Sequence, residues 1–470
     1  MQPRRRTWIG LAAALVAWAA VLAAASSRFG YDTNVIDMPV RPLVVVLLAA
    51  GLAYVGLLPS LVRRSAALAP RVQHTILIVM IAAGLAARLV LFASTPILED
   101  DYQRYLWDGA VTANGHNPYR TAPQTVLDAL PAGPLAALAQ QSGDVLARVG
   151  HGELTTIYPP IAQAAFALAH VVEPWSLASW RALLLVCDLA TLALLLVLLT
   201  STGRSPLWAA LYWWNPIVVK ELFNSAHMDG LLGPVVIGAL LLAQRHPFVA
   251  TSAIGIAFGI KFWPALLLPL VWRPLLADPR TLAKAALVFA PFAVAALAPQ
   301  VLTGLDQGAG AVAYAASWSR NSALYPALEA TNVWLLAAAT TPTFANAHAA
   351  LATRGLIAVA LAAIVAALAI RPIASREDLT RRATIAIGAL LLLMPAQYPW
   401  YSVWLAPLLV LHPIRGFLLL PATLPLYELF FHYAAREQAG TFTGVVVWLI
   451  WLPVWAVLLA DWVRARQPSD

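Results

Sequence analysis

The chain has 470 residues, of which 61% are hydrophobic and 11% are charged, with a mean hydropathy of +0.74. Soluble domains carry about a quarter charged residues, so this balance excludes an ordinary soluble protein and indicates a polytopic membrane protein. The net charge of +8 does not indicate nucleic-acid binding, because the basic residues lie in short clusters between apolar runs, as topology signals do. A single cysteine, Cys187, excludes disulfides within the chain and thiolate metal sites.

Long apolar segments alternate along the chain with shorter or interrupted ones. Segments of spanning length lie near residues 7–25, 41–60, 74–95, 177–200, 282–299, 351–370, 382–396, 415–431 and 441–460. Shorter ones lie near 158–172, 206–224, 229–243, 248–272, 323–340 and 400–411. The sequence therefore predicts an all-α bundle of about 12–14 transmembrane helices. We expect one integral membrane domain over residues 1–470, with no separate soluble domain.

Arginines in the short loops predict the orientation of the bundle. The clusters at residues 4–6 and 63–71 place the N-terminus and the second loop in the cytoplasm, and another cluster at 371–382 marks a later inner loop. The third helix therefore exits outward. The acidic residues that follow this helix are expected on the non-cytoplasmic side.

Three adjacent acids, Glu99, Asp100 and Asp101, open the longest polar stretch, the outer loop of residues 96–157. Ionised groups at the mouth of a membrane helix are costly to bury, which favours a functional role. One carboxylate could act as a general base, or two could hold a hard divalent cation such as Mg or Mn. The alternative is a salt-bridged helix end. Arg104 would share a helical face with Asp101 and has the planar fork that suits a phosphate.

Two turn-and-aromatic elements flank the polar loop. They are Asn117-Pro118-Tyr119 and Tyr158-Pro159-Pro160. Their sequence favours simple chain reversal at the membrane surface, and a sugar groove lined by the aromatic rings is the functional alternative.

A polar cluster of Glu221, Asn224, His227 and Asp229 follows Asn215-Pro216. Imidazole and carboxylates can bind divalent ions, but this spacing matches no recognised zinc pattern. We interpret the cluster as a network that supports Asp101 or binds sugar hydroxyls. An ordinary short outer loop is the alternative.

Lys261 lies within an apolar segment, where an ammonium is costly unless it is paired or reaches the surface. Pro264 predicts a helix break beside it. A compact ammonium there would suit a lipid phosphate. Arg320 is a further cation expected on the outer face. The run Gln397–Tyr401 is interpreted as an interfacial aromatic belt, with substrate contact as the alternative.

Three motifs of the outer region resemble a known class of enzymes. Residues 99–109 (EDDYQRYLWDG), 115–119 (GHNPY) and 157–160 (IYPP) resemble bacterial polytopic glycosyltransferases of the GT-C class. Within this class the chain looks most like polyprenol-phosphate-mannose-dependent mannosyltransferases. Asn215-Pro216 and the Gly259/Lys261/Pro264 pattern extend the likeness over about the first three-fifths of the chain, whereas the last third resembles the class only in hydropathy.

The resemblance implies a multi-pass enzyme of the bacterial inner membrane with its active site facing outward. It implies transfer of a hexose, with mannose as first choice, from a polyprenyl-phosphate donor to a lipid, glycan or protein acceptor, with inversion. Asp101 maps onto the general base, with Asp100 as second choice, and both would hold the metal if one binds. The residues expected to bind substrate are Arg104, Tyr105, Trp107, Asp108, Asn117, Tyr119, Tyr158, Glu221, His227, Asp229, Lys261 and Arg320.

The main alternative is a transporter or flippase for a lipid-linked sugar or polar lipid. Transporters tend to carry polar residues at the membrane midplane and paired internal repeats. Here the acids cluster at predicted helix ends, and no repeat is evident. A binding or assembly subunit without chemistry is a third possibility, against which the acid pair argues.

Overall fold

The computed structural model describes residues 3–304 and 308–467. Within these ranges the regular elements are helices, and the β-pairing is confined to an isolated bridge between Arg320 and Ala396. The predicted all-α class is therefore confirmed.

The described residues form seventeen α-helices of six or more residues, numbered in chain order. They are α1 (Pro3–Ser26), α2 (Val40–Ser65), α3 (Pro70–Leu91), α4 (Asp101–Ala113), α5 (Pro123–Ala129), α6 (Ala136–Gln141), α7 (Pro160–Val172), α8 (Leu177–Ser201), α9 (Leu232–Leu242), α10 (Pro247–Phe258), α11 (Pro279–Thr303), α12 (Gly310–Ser317), α13 (Leu324–Ala339), α14 (Pro342–Ile370), α15 (Arg376–Leu393), α16 (Leu429–Ala434) and α17 (Val447–Arg464).

Short helical turns connect these helices in three regions. The first runs from Pro206 to Leu231 and includes a π-helical turn at Lys220–Asn224. The second runs from Trp263 to Leu275. The third contains Pro399–Trp404, Leu408–Val410, Arg415–Leu418, Leu420–Thr423, Leu424–Glu428, Ala439–Thr441 and Phe442–Val446, with α16 among them. Ser27–Phe29 and Leu146–Arg148 are isolated turns.

Eight helical stretches among the described residues are long and apolar enough to cross a membrane. A ninth is obtained if Pro216–Asn224 and Met228–Leu242, which meet at a bend of 109°, form one broken span. The predicted multi-pass membrane character is confirmed. The count of 8 or 9 among the described residues is lower than the 12–14 transmembrane helices expected from the sequence. Two of the expected segments form α7 and α10, which have only 13 and 12 residues and are too short to cross a membrane as straight helices.

The bundle has two distinct ends. At the basic end, Arg204 pairs with Glu377 (Nη2–Oε1 2.8 Å), and the Ser205 hydroxyl donates to Gln73 Oε1 (2.6 Å). The loops before α3, after α8 and before α15 therefore lie together. Because α3 and α15 both start there, residues 92–101 and 394–404 lie at the other end, which we call the acid end.

At the acid end α4 packs directly on α7. The Cβ of any other residue at Gly109 would lie 2.5 Å from the Phe166 carbonyl oxygen, so this close approach requires glycine. Residues of α4, α5 and α6 share a small apolar core of their own that contains Trp107, Val126 and Leu138. The long polar loop is therefore a folded unit that holds α4 in place.

A buried ion pair joins α3 to α8 inside the bundle. Arg88 Nε lies 2.5 Å from Asp188 Oδ2, and both side chains are fully buried. Arg88 Nη1 also donates to the carbonyls of Gly84 (2.9 Å) and Trp213 (2.8 Å), and the Tyr212 hydroxyl donates to Asp188. These bonds anchor the broken segment that starts at residue 206 against both long helices.

Candidate active site

Glu99 organises the start of the helix that carries the acids. Its Oε1 accepts the backbone N–H groups of Asp100 (3.1 Å) and Asp101 (2.9 Å), which have no helical partner at this position. A negative charge at a helix N-terminus is also stabilised by the helix dipole. As a result Asp101 occupies the first turn of α4, with its side chain 38% exposed toward a cavity.

The surroundings of Asp101 suit a proton acceptor. The Tyr105 hydroxyl donates to Asp101 Oδ2 over 3.5 Å, and His227 Nδ1 lies 3.8 Å from the same oxygen. Burial, assisted by the neighbouring charge of Glu99, raises the pKa of Asp101 to about 7. Burial and the charge of Asp100 also raise the pKa of Glu99. A carboxyl group with a pKa near neutrality can accept a proton and release it again under physiological conditions.

His227 connects Asp101 to two further acids. Its fully buried ring places Nε2 3.0 Å from Glu99 Oε2 and 3.5 Å from Glu221 Oε2. The ring also stacks on Trp400, with centroids 4.0 Å apart and planes 19° apart. His227 lies at the bend between Pro216–Asn224 and Met228–Leu242, which follows the π-helical turn. Irregular helical geometry of this kind is frequent at functional sites.

Lys261 forms a cationic part of the cavity wall. Its Nζ lies 2.6 Å from Asp229 Oδ1, which also accepts the Trp404 indole N–H (2.5 Å). The ammonium lies over the rings of Tyr401 (4.7 Å) and Trp404 (5.0 Å). Helix α10 ends at Phe258 and helical turns resume at Trp263, so the predicted break beside Pro264 is present.

Lys220 joins the two halves of the chain at the wall of the cavity. Its Nζ contacts Glu428 Oε1 (2.8 Å) and Glu221 Oε1 (3.1 Å), and all three side chains are less than a tenth exposed. Buried charges of this kind require partners, because an unpaired one loses its hydration without compensation. Lys220 thereby fixes the position of Glu221, which faces His227.

Arg320 supplies another cation from the second half of the chain. Its guanidinium lies over the Phe430 ring at 4.0 Å and lines the same cavity. Its backbone is held by two hydrogen bonds to the segment of residues 395–397.

The cavity at the acid end has a volume of about 970 Å³. Its lining combines acids and cations with apolar side chains, which include Phe29, Met38 and Phe431. Tyr398, Trp400 and Tyr401 also contribute to its wall. The interpretation of the Gln397–Tyr401 run as an interfacial belt was therefore wrong, because these rings face the cavity of the protein.

The structure brings most of the expected site residues to this cavity. Those that line it are Asp100, Asp101, Arg104, Tyr105, Tyr158, Glu221, Asp229, Lys261 and Arg320. His227 does not line the cavity, but its Nδ1 lies 3.8 Å from Asp101 Oδ2.

Arg104 does not have the role of a phosphate ligand that the sequence suggested. Its guanidinium already donates to the carbonyls of Leu154 (3.0 Å), Gly150 (3.0 Å) and His151 (2.7 Å). These bonds make Arg104 a support for the loop of residues 150–154.

Besides His227, four expected residues do not line the cavity. Trp107 packs on Trp175, and Asp108 accepts a hydrogen bond from Gln163 Nε2 (3.1 Å). Asn117 Oδ1 accepts the Tyr119 N–H (2.9 Å), and the Tyr119 hydroxyl donates to the Tyr158 carbonyl (2.7 Å). These contacts hold α4, α7 and the connecting turns together. Since these four residues make such contacts and do not line the cavity, we assign them to the scaffold.

A divalent cation was expected at Asp100 and Asp101, if one binds. Among the residues that the structure describes, the group whose ligand-type atoms lie within 4.8 Å of one another is Glu99, Asp101 and His227. Two carboxylates and an imidazole form a donor set that Mn²⁺ accepts. The two ring nitrogens of His227 face different carboxylates, and neither nitrogen makes a hydrogen bond within the described part of the chain. The predicted metal stays a prediction.

Sequence reasoning assigned no site role to Arg181 and Glu428. Arg181 lies in a long apolar helix, and it donates to the carbonyl of Ser94 in the segment that precedes the acids. Glu428 lies 208 residues from Lys220, its partner. An isolated charge inside an apolar segment was the available signal in both cases.

The fold and site define a class: an all-α multi-pass membrane protein with a cavity that combines an acid of raised pKa, cations and aromatic rings. A family model described as alpha-(1->6)-mannopyranosyltransferase, N-terminal domain (MptA_B family) matches residues 7–276, more than half of the chain. The chain belongs to this family, and it is therefore a mannosyltransferase. Neither the curated proteins nor the solved structures contain a match.

Proposed function

We propose that the protein transfers mannose from a polyprenyl-phosphate donor to an acceptor hydroxyl through an α-(1→6) linkage. The family supports mannosyl transfer and suggests the linkage. The chain has no Walker-type phosphate loop and no dinucleotide fingerprint, so its sequence offers no familiar nucleotide-sugar site. A lipid-linked donor fits a cavity that combines apolar and charged walls within a membrane protein.

Asp101 is the proposed general base, and its position carries the proposal. It stands at the start of α4 and faces the cavity, and burial brings its pKa to about 7. In the proposed step the acceptor O–H proton goes to Asp101 as the acceptor oxygen bonds to the anomeric carbon of mannose. The bond between that carbon and the phosphate oxygen breaks, and polyprenyl phosphate leaves with the electron pair.

The single displacement inverts the anomeric centre, so an α-linked product requires a β-linked donor. Lys261 and Arg320 are the proposed partners of the leaving phosphate, because both cations line the cavity that Asp101 faces. Preorganised charges near a leaving group stabilise the transition state more than the ground state. His227, with Glu221 and Glu99 around it, is proposed to orient Asp101.

The proposed site faces the non-cytoplasmic side of a bacterial inner membrane. The arginine-rich loops lie at the end of the bundle opposite the acids, and such loops stay in the cytoplasm. An outward site would receive its sugar from a lipid carrier rather than from a soluble nucleotide. The acceptor is a lipid, glycan or protein, and an α-(1→6) linkage would require it to offer the 6-hydroxyl of a sugar.

The test uses membranes that contain the full chain and a polyprenyl-phosphate donor with labelled mannose. We expect the wild type to form an α-(1→6)-linked product and Asp101→Asn to lose at least about 100-fold in rate, since a positioned base contributes about 10²–10⁴-fold. Asp128→Asn, an exposed acid on α5, is the matched control and should keep full activity.

Retained transfer by Asp101→Asn would exclude Asp101 as the base. Movement of the labelled lipid across the bilayer by the wild type, without transfer to any acceptor, would instead support the transporter alternative.

A further inference from the structure

The segment that joins α3 to the acids has no helical structure of its own. It covers residues 92–98, and Leu98 at its end adopts a left-handed backbone with φ of 54°. Backbone N–H and C=O groups within a membrane protein must find partners, because an unpaired polar group is costly there. The partners of this segment determine where Glu99 and Asp101 enter the cavity.

Asn224 binds this segment with every polar atom of its side chain. Its Oδ1 accepts the Ile97 N–H (3.1 Å), and its Nδ2 donates to Ser94 Oγ (2.9 Å) and to the Thr95 carbonyl (2.9 Å). The side chain is fully buried. Asn224 lies three residues before His227, so the same residue ties the acid segment to the element that carries the imidazole.

Arg181 of α8 binds both the segment of residues 92–98 and Asn224. Its Nη1 donates to the carbonyls of Phe92 (2.9 Å) and Ser94 (2.9 Å), and its Nη2 donates to the Asn224 carbonyl (2.7 Å). Arg181 is 2% exposed. Neither Arg181 nor Asn224 lines the cavity, so neither is placed to touch a substrate.

We infer that Asn224 and Arg181 are positioning residues that set the distance between Asp101 and His227. We call these two residues the clamp. The inference rests on the proposed role of Asp101 as general base. A displacement of about 1 Å in a reacting group can cost about 100-fold in rate, even when it originates in residues remote from the chemistry. Loss of the clamp should therefore lower kcat while donor binding, which involves other residues, is preserved.

The experiment measures kcat, the KM for the donor, and the pH dependence of transfer for Asn224→Ala and Arg181→Lys in membranes. We expect kcat to fall at least about tenfold, with KM within about twofold, since only transition-state geometry is lost. The pH midpoint should also move downward, because a displaced Asp101 is better hydrated and its pKa returns toward the ordinary value.

Matched controls separate positioning from general stability. Asn332 is a part-buried asparagine whose Nδ2 donates to Thr353 Oγ1 (2.8 Å) between α13 and α14, and Asn332→Ala removes a similar bond away from the cavity. Arg382 donates to three carbonyls at the basic end, and Arg382→Lys is the control for Arg181→Lys. Both controls should keep the wild-type kcat per folded molecule and the wild-type pH midpoint.

The inference is overturned if the clamp variants keep the wild-type kcat and pH midpoint, or if they change only KM. It is also overturned if the control variants lose kcat and shift the pH midpoint to the same extent as the clamp variants. If Asn224→Ala does not accumulate in membranes, Arg181→Lys alone carries the test, because it keeps a positive charge at this position and adds no carboxylate near Asp101. Full activity of Asp101→Asn would refute the proposed base itself. Inactivity of Asp101→Asn beside unaffected clamp variants would refute only the positioning role.

Discussion

The imidazole of His227 lies flat against the indole of Trp400, with the ring centroids 4.0 Å apart. His227 belongs to the part of the chain that matches the family model, and Trp400 lies outside it. Tyr398 stacks on the same indole, with centroids 4.4 Å apart, so three rings form one stack. The second half of the chain therefore completes the candidate site by fixing the ring that faces Asp101.

Replacement of Trp400 should disturb the site through His227. We expect Trp400→Ala to lower kcat by about 10- to 100-fold, because the imidazole loses the surface that holds its orientation. Trp400→Phe should keep most of the activity, since a flat ring remains. Steady-state transfer in membranes measures both. Trp334→Ala, at a position where the indole is 70% exposed, is the control. Equal activity of Trp400→Ala and the control would contradict the role of the stack.

Lys261 should stabilise the phosphate of the donor as it leaves. Lys261→Gln removes the charge, yet Asp229 keeps the Trp404 indole N–H as a partner, so the local structure should persist. We expect kcat/KM for the donor to fall by about 100-fold, the usual cost of removing one preorganised donor. Lys284→Gln on α11, where the lysine is exposed, should be neutral. A loss in the control of the same size would point to an effect on the membrane surface instead.

The pH dependence should report the ionisation of Asp101. A general base works when deprotonated, so a pKa of about 7 predicts that kcat/KM rises as the pH is raised through about 7 and then levels off.

Glu99→Gln keeps an oxygen that can accept the N–H groups of Asp100 and Asp101, but it removes a negative charge next to Asp101. This change should stabilise the ionised form of Asp101 and move the midpoint to lower pH. The pH profile of transfer for both proteins is the measurement, and an unchanged or higher midpoint in Glu99→Gln would contradict the assignment.

The sequence located the acid end of the site because charges beside apolar segments are conspicuous. Asp101, His227 and Lys261 each stand out, since membrane burial makes unpaired charges costly. The all-α class followed in the same way from the length of the apolar segments. Neither inference required knowledge of which residues meet in space.

The contacts between residues that are distant along the chain could not be derived from the sequence. Lys220 and Glu428 are 208 residues apart, and no local pattern brings them together. Aromatic residues such as Trp400 have the same sequence signature whether they face lipid headgroups or a cavity. Asn117 and Tyr119 belong to a motif typical of the class, but their hydrogen bonds hold a turn in place. A motif identifies the region of a site more reliably than it identifies the contacts of each member.

The buried pair of Arg88 and Asp188 should be important for stability rather than for chemistry. Arg88→Met leaves the fully buried Asp188 with the Tyr212 hydroxyl as a remaining partner, and removal of one member of such a pair typically costs about 3–5 kcal/mol in the free energy of unfolding. The double change Arg88→Met with Asp188→Leu should recover most of that loss, because no isolated charge remains. Unfolding in detergent measures the change in the free energy of unfolding.

The control is Arg415→Met, which breaks an exposed pair with Asp461 and should change the free energy of unfolding by less than about 1 kcal/mol. If the double variant were as unstable as the single one, the bonds of Arg88 to the Gly84 and Trp213 carbonyls, rather than the ion pair, would account for the stability.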